Sequence, residues 1–483
     1  MAATYIVTSM QPTSSPSQAN DTRTQSNLDA RFIRMTTVPV SRLILSLAIP
    51  TIISMLVTAL YNMADTFFVG KLSTTATAAV GVVFPLMTTI QVVGMTLGVG
   101  SGSFVARLLG RKDGTRASQV VSTAFFTALV CGIFFAIVGR IVAAPLMRLL
   151  GSTETILPEA LAYANYILLG APFMAAAFVM NVNLRSEGSA VLSMVGLASG
   201  AIINIALDPI FIFVFKMGVA GAAVATVISQ IISFSILISH YLSGRSTLRI
   251  NLRSVRLELR LYWEIIRSGT PTFSRLFLAT LAAIVLNTSA KPYGDSAIAG
   301  MTVVNRIMMF IGSALIGFGQ GFQPVAAFNY TAGFYERVHQ AFWFAVKVGT
   351  VVLLLHAVVA GIFAEEFVRF FRDDPEVIVV GTLTLRFQCL TLPLNAFIIM
   401  SNMLFQYIGQ AGKATLLAMS RQGLVFIPTI LLLSHCFGLL GIQMSQALAD
   451  GISFLVAIPF IWGTLRELRS HFAVPAPEPV ALT

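Results

Sequence analysis

Two carboxylates stand inside long apolar runs: Asp65 in Tyr61-Asn62-Met63-Ala64-Asp65-Thr66-Phe67, and Asp208 in Asn204-Ile205-Ala206-Leu207-Asp208-Pro209. An acidic side chain in such a run costs several kcal/mol and calls for a reason. Asn204 lies one helical turn before Asp208, on the same helix face. Counted from one end of their runs, Asp65 lies about five residues in and Asp208 about eight, roughly 8 and 12 Å at 1.5 Å per residue. Thr226 lies at a similar depth in the run that follows Asp208. Two carboxylates, an amide and a hydroxyl form an all-oxygen set, which suits Na⁺ or a proton held between the carboxylates. Neighbouring carboxylates in an apolar layer repel each other, and either ion relieves that repulsion. The expected chemistry is therefore cation binding by Asp65, Asn204, Asp208 and Thr226, with Na⁺ as the only metal considered. The competing reading for either aspartate alone is a hydrogen-bonded structural residue near a helix end.

Other polar side chains in apolar runs are candidates to line a cleft: Gln91, Asn181, Asn287, Gln320, Asn402 and Gln406, with Asn183, Gln323 and Asn395 behind them. Each serves equally well as an interhelical hydrogen bond. Arg306 and Arg386 are cations within such runs, partnered or reaching for the interface. Glu187, in Arg185-Ser186-Glu187-Gly188, is expected at a turn, paired with Arg185. Asp450 is a secondary ion-relay candidate. The five histidines show no HxxxH or HExxH spacing and the three cysteines no CxxC, so a metal enzyme is not expected, nor is any cofactor.

These residues need elements that hold them in an apolar medium. Of the 483 residues 56% are hydrophobic and 11% charged, against roughly 25% charged in a soluble domain. At about 20 apolar residues per span, twelve helices are expected near 43–69, 78–105, 118–144, 160–183, 191–215, 218–242, 268–290, 297–327, 340–364, 379–407, 414–436 and 439–464. The net charge of +11 sits in short clusters between the runs, which orients a membrane protein and argues against nucleic acid. About 20 Lys and Arg fall on one face and about 7 on the other, placing both termini in the cytoplasm. The expected division is a disordered tail at 1–38 without a secretory signal, an N-lobe at 39–244, a basic linker at 245–267, a C-lobe at 268–465 and a Pro-rich tail at 466–483. The linker reads as an interfacial amphipathic segment or as a plain positive-inside loop.

The halves repeat at an offset of about 221 residues: Pro50-Thr51 with Pro271-Thr272, Gly98-x-Gly100 with Gly319-x-Gly321, Arg116 with Arg337, Pro172 with Pro393, Asn181 with Asn402, and Gly188 with Gly409. Gly218 and Gly221 match Gly438 and Gly441 after a one-residue slip. Six helices per repeat is an even number, so both halves enter the membrane from one side and the repeat is parallel. The fold class is thus an all-α polytopic membrane protein, twelve transmembrane helices in two pseudo-symmetric six-helix bundles. Pro50 and Pro271 put a kink in the first helix of each half, either static or changing between states.

Asp65-Thr66-Phe67-Phe68-Val69-Gly70, Ala78-Ala79-Val80-Gly81, Gly98-Val99-Gly100-Ser101, Asn204-x-x-x-Asp208-Pro209, Arg185-Ser186-Glu187-Gly188-Ser189 and Phe405-Gln406-Tyr407-Ile408-Gly409-Gln410-Ala411 together resemble the multidrug-and-toxic-compound-extrusion (MATE) transporters over residues 40–465. The last two strings look most like the MepA branch, close to the DinF-like branch. The resemblance implies two lobes of six helices and export of cationic, amphiphilic small molecules by antiport with H⁺ or Na⁺ across the plasma membrane. It implies a cation site at Asp65, Asn204, Asp208 and Thr226, the set that depth alone gives. The acidic residues that the NorM branch carries in helices 7 and 10 have no counterpart in Thr272-Phe273-Ser274-Arg275 or in helix 10. A monomer in the lipid bilayer is the expected working unit. The competing functions are a lipid-linked oligosaccharide flippase, which calls for several cations in the cleft, and a membrane receptor or sensor without transport.

Overall fold

The computed structural model describes residues 16–470; the expectations for 1–15 and for the Pro-rich end from 471 onward lie outside the described residues. The described chain is helical apart from its turns and the linker before α9. The elements are α1 (Pro16–Thr37), α2 (Val40–Gly70), α3 (Thr74–Gly110), α4 (Gly114–Ile141), α5 (Ala143–Leu149), α6 (Leu157–Ser186), α7 (Ala190–Pro209) and α8 (Gly218–Leu242) in the first half. The second half holds α9 (Leu259–Ala290), α10 (Asp295–Thr331), α11 (Tyr335–Ile362), α12 (Ala364–Phe371), α13 (Pro375–Thr391), α14 (Leu394–Tyr407), α15 (Ala411–Met419) and α16 (Phe426–Ser470). A backbone in hydrocarbon must satisfy its own hydrogen bonds, which makes long helices the only open solution. Their ends are closed by side chains where the sequence supplies them: Ser73 Oγ accepts from the Ala76 N–H at 2.9 Å and Asp113 Oδ1 from the Arg116 N–H at 2.9 Å.

Among the described residues ten helical runs are long and apolar enough to span, and α13 with α14, bent by 59° beside Pro393, makes an eleventh. The last run, Ala411–Ser470, holds 60 residues, twice what a bilayer needs. It breaks at Gly438, whose φ of 60° and ψ of −133° are not helical. A Cβ at Gly441 would lie 1.9 Å from the Leu433 carbonyl oxygen, so the chain reverses there and the run crosses twice. That brings the passes to the expected twelve.

The repeat is built into the backbone. Gly188 and Gly409 take φ of 90° and 91°, and Gly218 and Gly438 take 58° and 60°, a region open to glycine without a steric penalty. Asn181 donates to the Ser193 carbonyl at 3.0 Å, and its equivalent Asn402 donates to the Ala414 carbonyl at 2.6 Å. Each bond ties the fourth pass of a lobe to the start of its fifth.

The lobes meet on the side that carries the termini. There α2 crosses α10 and α3 crosses α9, at pairs of small residues that let backbones approach closely. A Cβ at Gly321 would sit 2.5 Å from Ala48 Cα, and one at its equivalent Gly100 would sit 2.1 Å from the Ile265 carbonyl oxygen. Thr51 Oγ1 donates to the Gly317 carbonyl at 2.6 Å. Arg107 reaches the Tyr407 carbonyl and Ser268 Oγ, both at 3.4 Å. One apolar core, including Leu43, Leu97, Val105, Phe318, Phe322 and Phe328, joins both lobes on this side and continues up the second lobe to Val368 and Val377. Toward the far side the cores separate, one around Val83, Ile90 and Leu168 in the first lobe and one around Ala282, Phe426 and Ile442 in the second. The molecule is closed at its terminal end and parted at the other.

Two expectations are corrected. Residues 16–37 form helix α1 rather than a loose tail. Its apolar residues are confined to its last turns, where Met35 is buried in the core and Leu28 packs against it, a stripe too short to announce a helix in a polar segment; charge and backbone groups complete the docking. Arg31 pairs with Glu187 at 3.1 Å and Asp29 with Lys112 at 3.5 Å in the first lobe. Arg337, from the second lobe, donates to the Val38 carbonyl at 2.6 Å, just past the helix end. The linker ends at 258 rather than 267: it is a loop with one 3-10 turn at Leu252–Ser254 until α9 begins at Leu259. It hydrogen-bonds to α4, with the Arg256 N–H donating to Thr123 Oγ1 at 3.1 Å, and leaves Leu252 and Leu257 exposed, as is Trp263 on α9.

Candidate functional site

α2, α7 and α8 pack together in the far half of the first lobe and carry the four expected oxygen donors. Pro209 ends the regular part of α7, and the chain continues as one wide turn of π-helix over Ile210–Val214, a local unwinding often found at functional sites. Asp208 sits at that transition and is fully buried; Asn204 and Thr226 are buried beside it. The Asn204 amide satisfies both neighbours when its nitrogen lies 3.2 Å from Asp208 Oδ2 and its oxygen accepts from the Thr226 N–H at 3.3 Å. Asp65, on α2, is close enough to Asp208 for the two charges to interact. Its Oδ1 is buried and has no hydrogen-bond partner among the described residues.

The structure thus joins Asn204, Asp208 and Thr226 by hydrogen-bond contacts and places Asp65 on α2, the helix packed along α7. An unpartnered carboxylate oxygen next to a second carboxylate is the environment that a small hard cation or a proton relieves. Among the described residues no three His, Cys, Asp or Glu side chains converge, so the donor set does not suit a transition metal.

Tyr61 and Tyr163 were not singled out from sequence, yet both lie within electrostatic reach of Asp65 and Asp208. Tyr61 had a signal available, since it stands one turn before Asp65. Tyr163, on α6, had none; its hydroxyl points at Met87 Sδ, 3.7 Å away.

The cleft candidates divide. Asn181 and Asn402 are engaged by the interhelical bonds described above. Gln406 donates to Thr272 Oγ1 at 2.9 Å and to the Ser268 carbonyl at 3.1 Å. Gln320 is buried between the lobes, accepting from Arg185 and facing Met55 Sδ at 3.9 Å. Gln91 is half-buried and Asn287 exposed. Pro50 and Pro271 are buried inside continuous helices.

Glu187 does not pair with Arg185. It takes Arg31 as its ion-pair partner and accepts from the Ser246 and Thr247 hydroxyls at 2.8 Å each. The reason is direction: Arg185 points inward across the lobe boundary to Gln320, while Glu187 turns toward α1. Asp450 is also paired. It accepts from Arg421 Nε at 2.9 Å, from Asn395 at 2.8 Å and from Gln446 at 2.9 Å, so the second lobe's buried acid has its charge matched. Arg306 and Arg386 are exposed, the latter reaching the Gly361 carbonyl at 3.4 Å.

A family model described as MatE matches the chain twice, over residues 50–210 and 271–432, in the register of the repeat. The chain is 28% identical to the multidrug export protein MepA of Staphylococcus haemolyticus, over 87% of this chain and 92% of that protein. It is 27% identical to MepA of Staphylococcus saprophyticus, over 86% and 92% of the two chains. Among solved structures, the outward-facing conformation of a multidrug resistance MATE family transporter of the MOP superfamily superimposes with a TM-score of 0.86 at 26% identity, covering 91% of this chain and 98% of that one.

Proposed function

The chain belongs to the MATE family of membrane transporters, and from that premise we propose that it exports cationic, amphiphilic compounds by antiport with H⁺ or Na⁺. The observation that carries this reading is the orphaned Asp65 Oδ1 beside buried Asp208, Asn204 and Thr226, in the half of the first lobe away from the closed end.

The termini lie in the cytoplasm of the producing cell, so the parted side faces outward. A lipophilic cation enters from the inside when the lobes rock the other way, and the acidic pair attracts it. With the lobes as they stand here, H⁺ or Na⁺ from outside reaches Asp65 and Asp208, neutralises them and favours release of the drug. The ion drives transport because it binds one arrangement better than the other. Gln91 and Asn287 remain as polar contacts for the substrate, with Pro50 and Pro271 the bends about which the first helices adjust. The working unit is a monomer in the plasma membrane. The flippase reading finds little support, since Arg421 is neutralised by Asp450 and Arg185 is engaged by Gln320.

The test is efflux of a fluorescent cation from proteoliposomes, with a Na⁺ gradient and a pH gradient imposed separately on wild type and Asp208→Asn. Efflux under one gradient, lost in the variant, names the ion. Equal efflux by both proteins, or none by either, sinks the antiport reading.

A further inference from the structure

On the terminal side, a cavity of about 510 Å³ opens between the lobes. The first lobe contributes Phe104, Arg107, Arg111, Asp113 and Arg116, and the second Arg260 and Glu264. Four guanidiniums therefore face two carboxylates. Among the described residues no carboxylate comes within 4.0 Å of any of the four. The nearby Lys112 is the cation that takes an acid, Asp29 of α1. Asp113 is occupied in part by the α4 cap.

Arg107 sets the depth of the cavity. Its guanidinium is held by the Tyr407 carbonyl and Ser268 Oγ from the second lobe, and it lies 5.5 Å from the Phe104 ring. Arg116 and Arg260 are exposed at the mouth, on opposite lobes. Leu257, Leu259 and Trp263 flank Arg260 and are exposed by 85%, 87% and 62%. One partly buried arginine at the back, three exposed arginines around it without a carboxylate partner, and apolar side chains beside Arg260 match a phosphate head with hydrocarbon next to it.

We propose that this cavity binds a phosphate group, and that the phosphate bridges the lobes and holds the terminal side shut. Arginine suits the task because its planar fork meets phosphate oxygens two at a time. The bridge joins Arg107, Arg111 and Arg116 of one lobe to Arg260 of the other, which only the closed arrangement brings together. The proposal concerns binding rather than transport, so it stands apart from the antiport reading and its failure would leave that reading intact.

Thermal stability of the purified full-length protein is measured in three mixtures: micelles with phosphatidylglycerol, micelles with phosphatidylcholine, and inorganic phosphate against chloride at equal ionic strength. Wild type is compared with Arg260→Gln, Arg116→Gln and, as a control at the opposite face, Arg140→Gln. The expected result is stabilisation of wild type and Arg140→Gln by phosphatidylglycerol and none by phosphatidylcholine. Affinity should fall about tenfold in Arg260→Gln and in Arg116→Gln. Stabilisation by inorganic phosphate with the same variant dependence would support the site and name free phosphate as its occupant. Stabilisation of all four proteins alike, or of none, would overturn the proposal. Spin labels on the terminal ends of α3 and α11 supply a second readout. The closed population should rise with the ligand, and an unchanged distance despite binding would overturn the bridge.

Discussion

Ser186 and Tyr407 occupy the same place in the two repeats, 221 residues apart, and their hydroxyls touch at 3.3 Å. Equivalent residues can meet only beside the axis that relates them. The pseudo-two-fold therefore passes this pair, at the terminal ends of α6 and α14. Arg185, one residue earlier, reaches Gln320 from the same spot. The closed end of the molecule is thus centred on its symmetry axis, and the crossings at Gly100 and Gly321 lie symmetrically about it.

Those two glycines carry the first prediction. Gly321→Ala forces a methyl group onto the Ala48 backbone and Gly100→Ala one onto the Ile265 carbonyl. Overpacking of this kind costs about 1–3 kcal/mol, here charged to the closed arrangement. Label distances between the terminal ends of the lobes should lengthen in both variants. They should not change in Gly312→Ala, where a Cβ meets open space.

Removing either cluster carboxylate should uncouple rather than unfold. Asp65→Asn keeps the shape of a side chain whose Oδ1 has no partner, so its melting temperature should stay within a few degrees of wild type. Gradient-driven efflux should be lost. Normal coupled efflux by this variant would count against the cation site.

Asp450 should behave in the opposite way. Asp450→Asn leaves Arg421 without its carboxylate, and breaking a buried pair typically costs about 3–5 kcal/mol, less here because Arg421 is partly exposed. Stability should fall clearly, and the double variant Asp450→Asn with Arg421→Gln should regain much of it. The ion preference of the folded fraction should match wild type.

Glu187→Gln should loosen α1. The carboxylate is fully buried and holds Arg31, Ser246 and Thr247 together. Hydrogen exchange at the amides of α1 and of 245–248 should rise together, while exchange in α10 stays at the wild-type level.

How much of this was legible in the sequence differs by physical cause. Spans follow from solvent: a bilayer demands long apolar helices, and the repeat offset shows because each lobe meets the same demand twice. The depth of Asp65 and Asp208 could be counted along the chain, since rise per residue is fixed. The pairing of Glu187 could not, because its partner Arg31 lies 156 residues away and Arg185 looked equally apt. α1 was missed because its apolar residues, Leu28, Phe32 and Met35, fill only its last turns, too short a stripe to stand out in a polar segment. Tyr163 enters the cluster only through the way α6 packs, which no local pattern encodes.

α1 has a further consequence for how the molecule is made. Among the described helices it comes first in chain order, and its partners are spread along the chain: Lys112 after two passes, Glu187 after four and Arg337, 302 residues beyond Met35, after eight. Chains are built from the N-terminus and domains settle as units. Its contacts with the first lobe can form early, and the set is complete only when Arg337 of the second lobe has been made. The helix thus joins an early contact to a late one, and a fully docked α1 marks a molecule whose second lobe is in place.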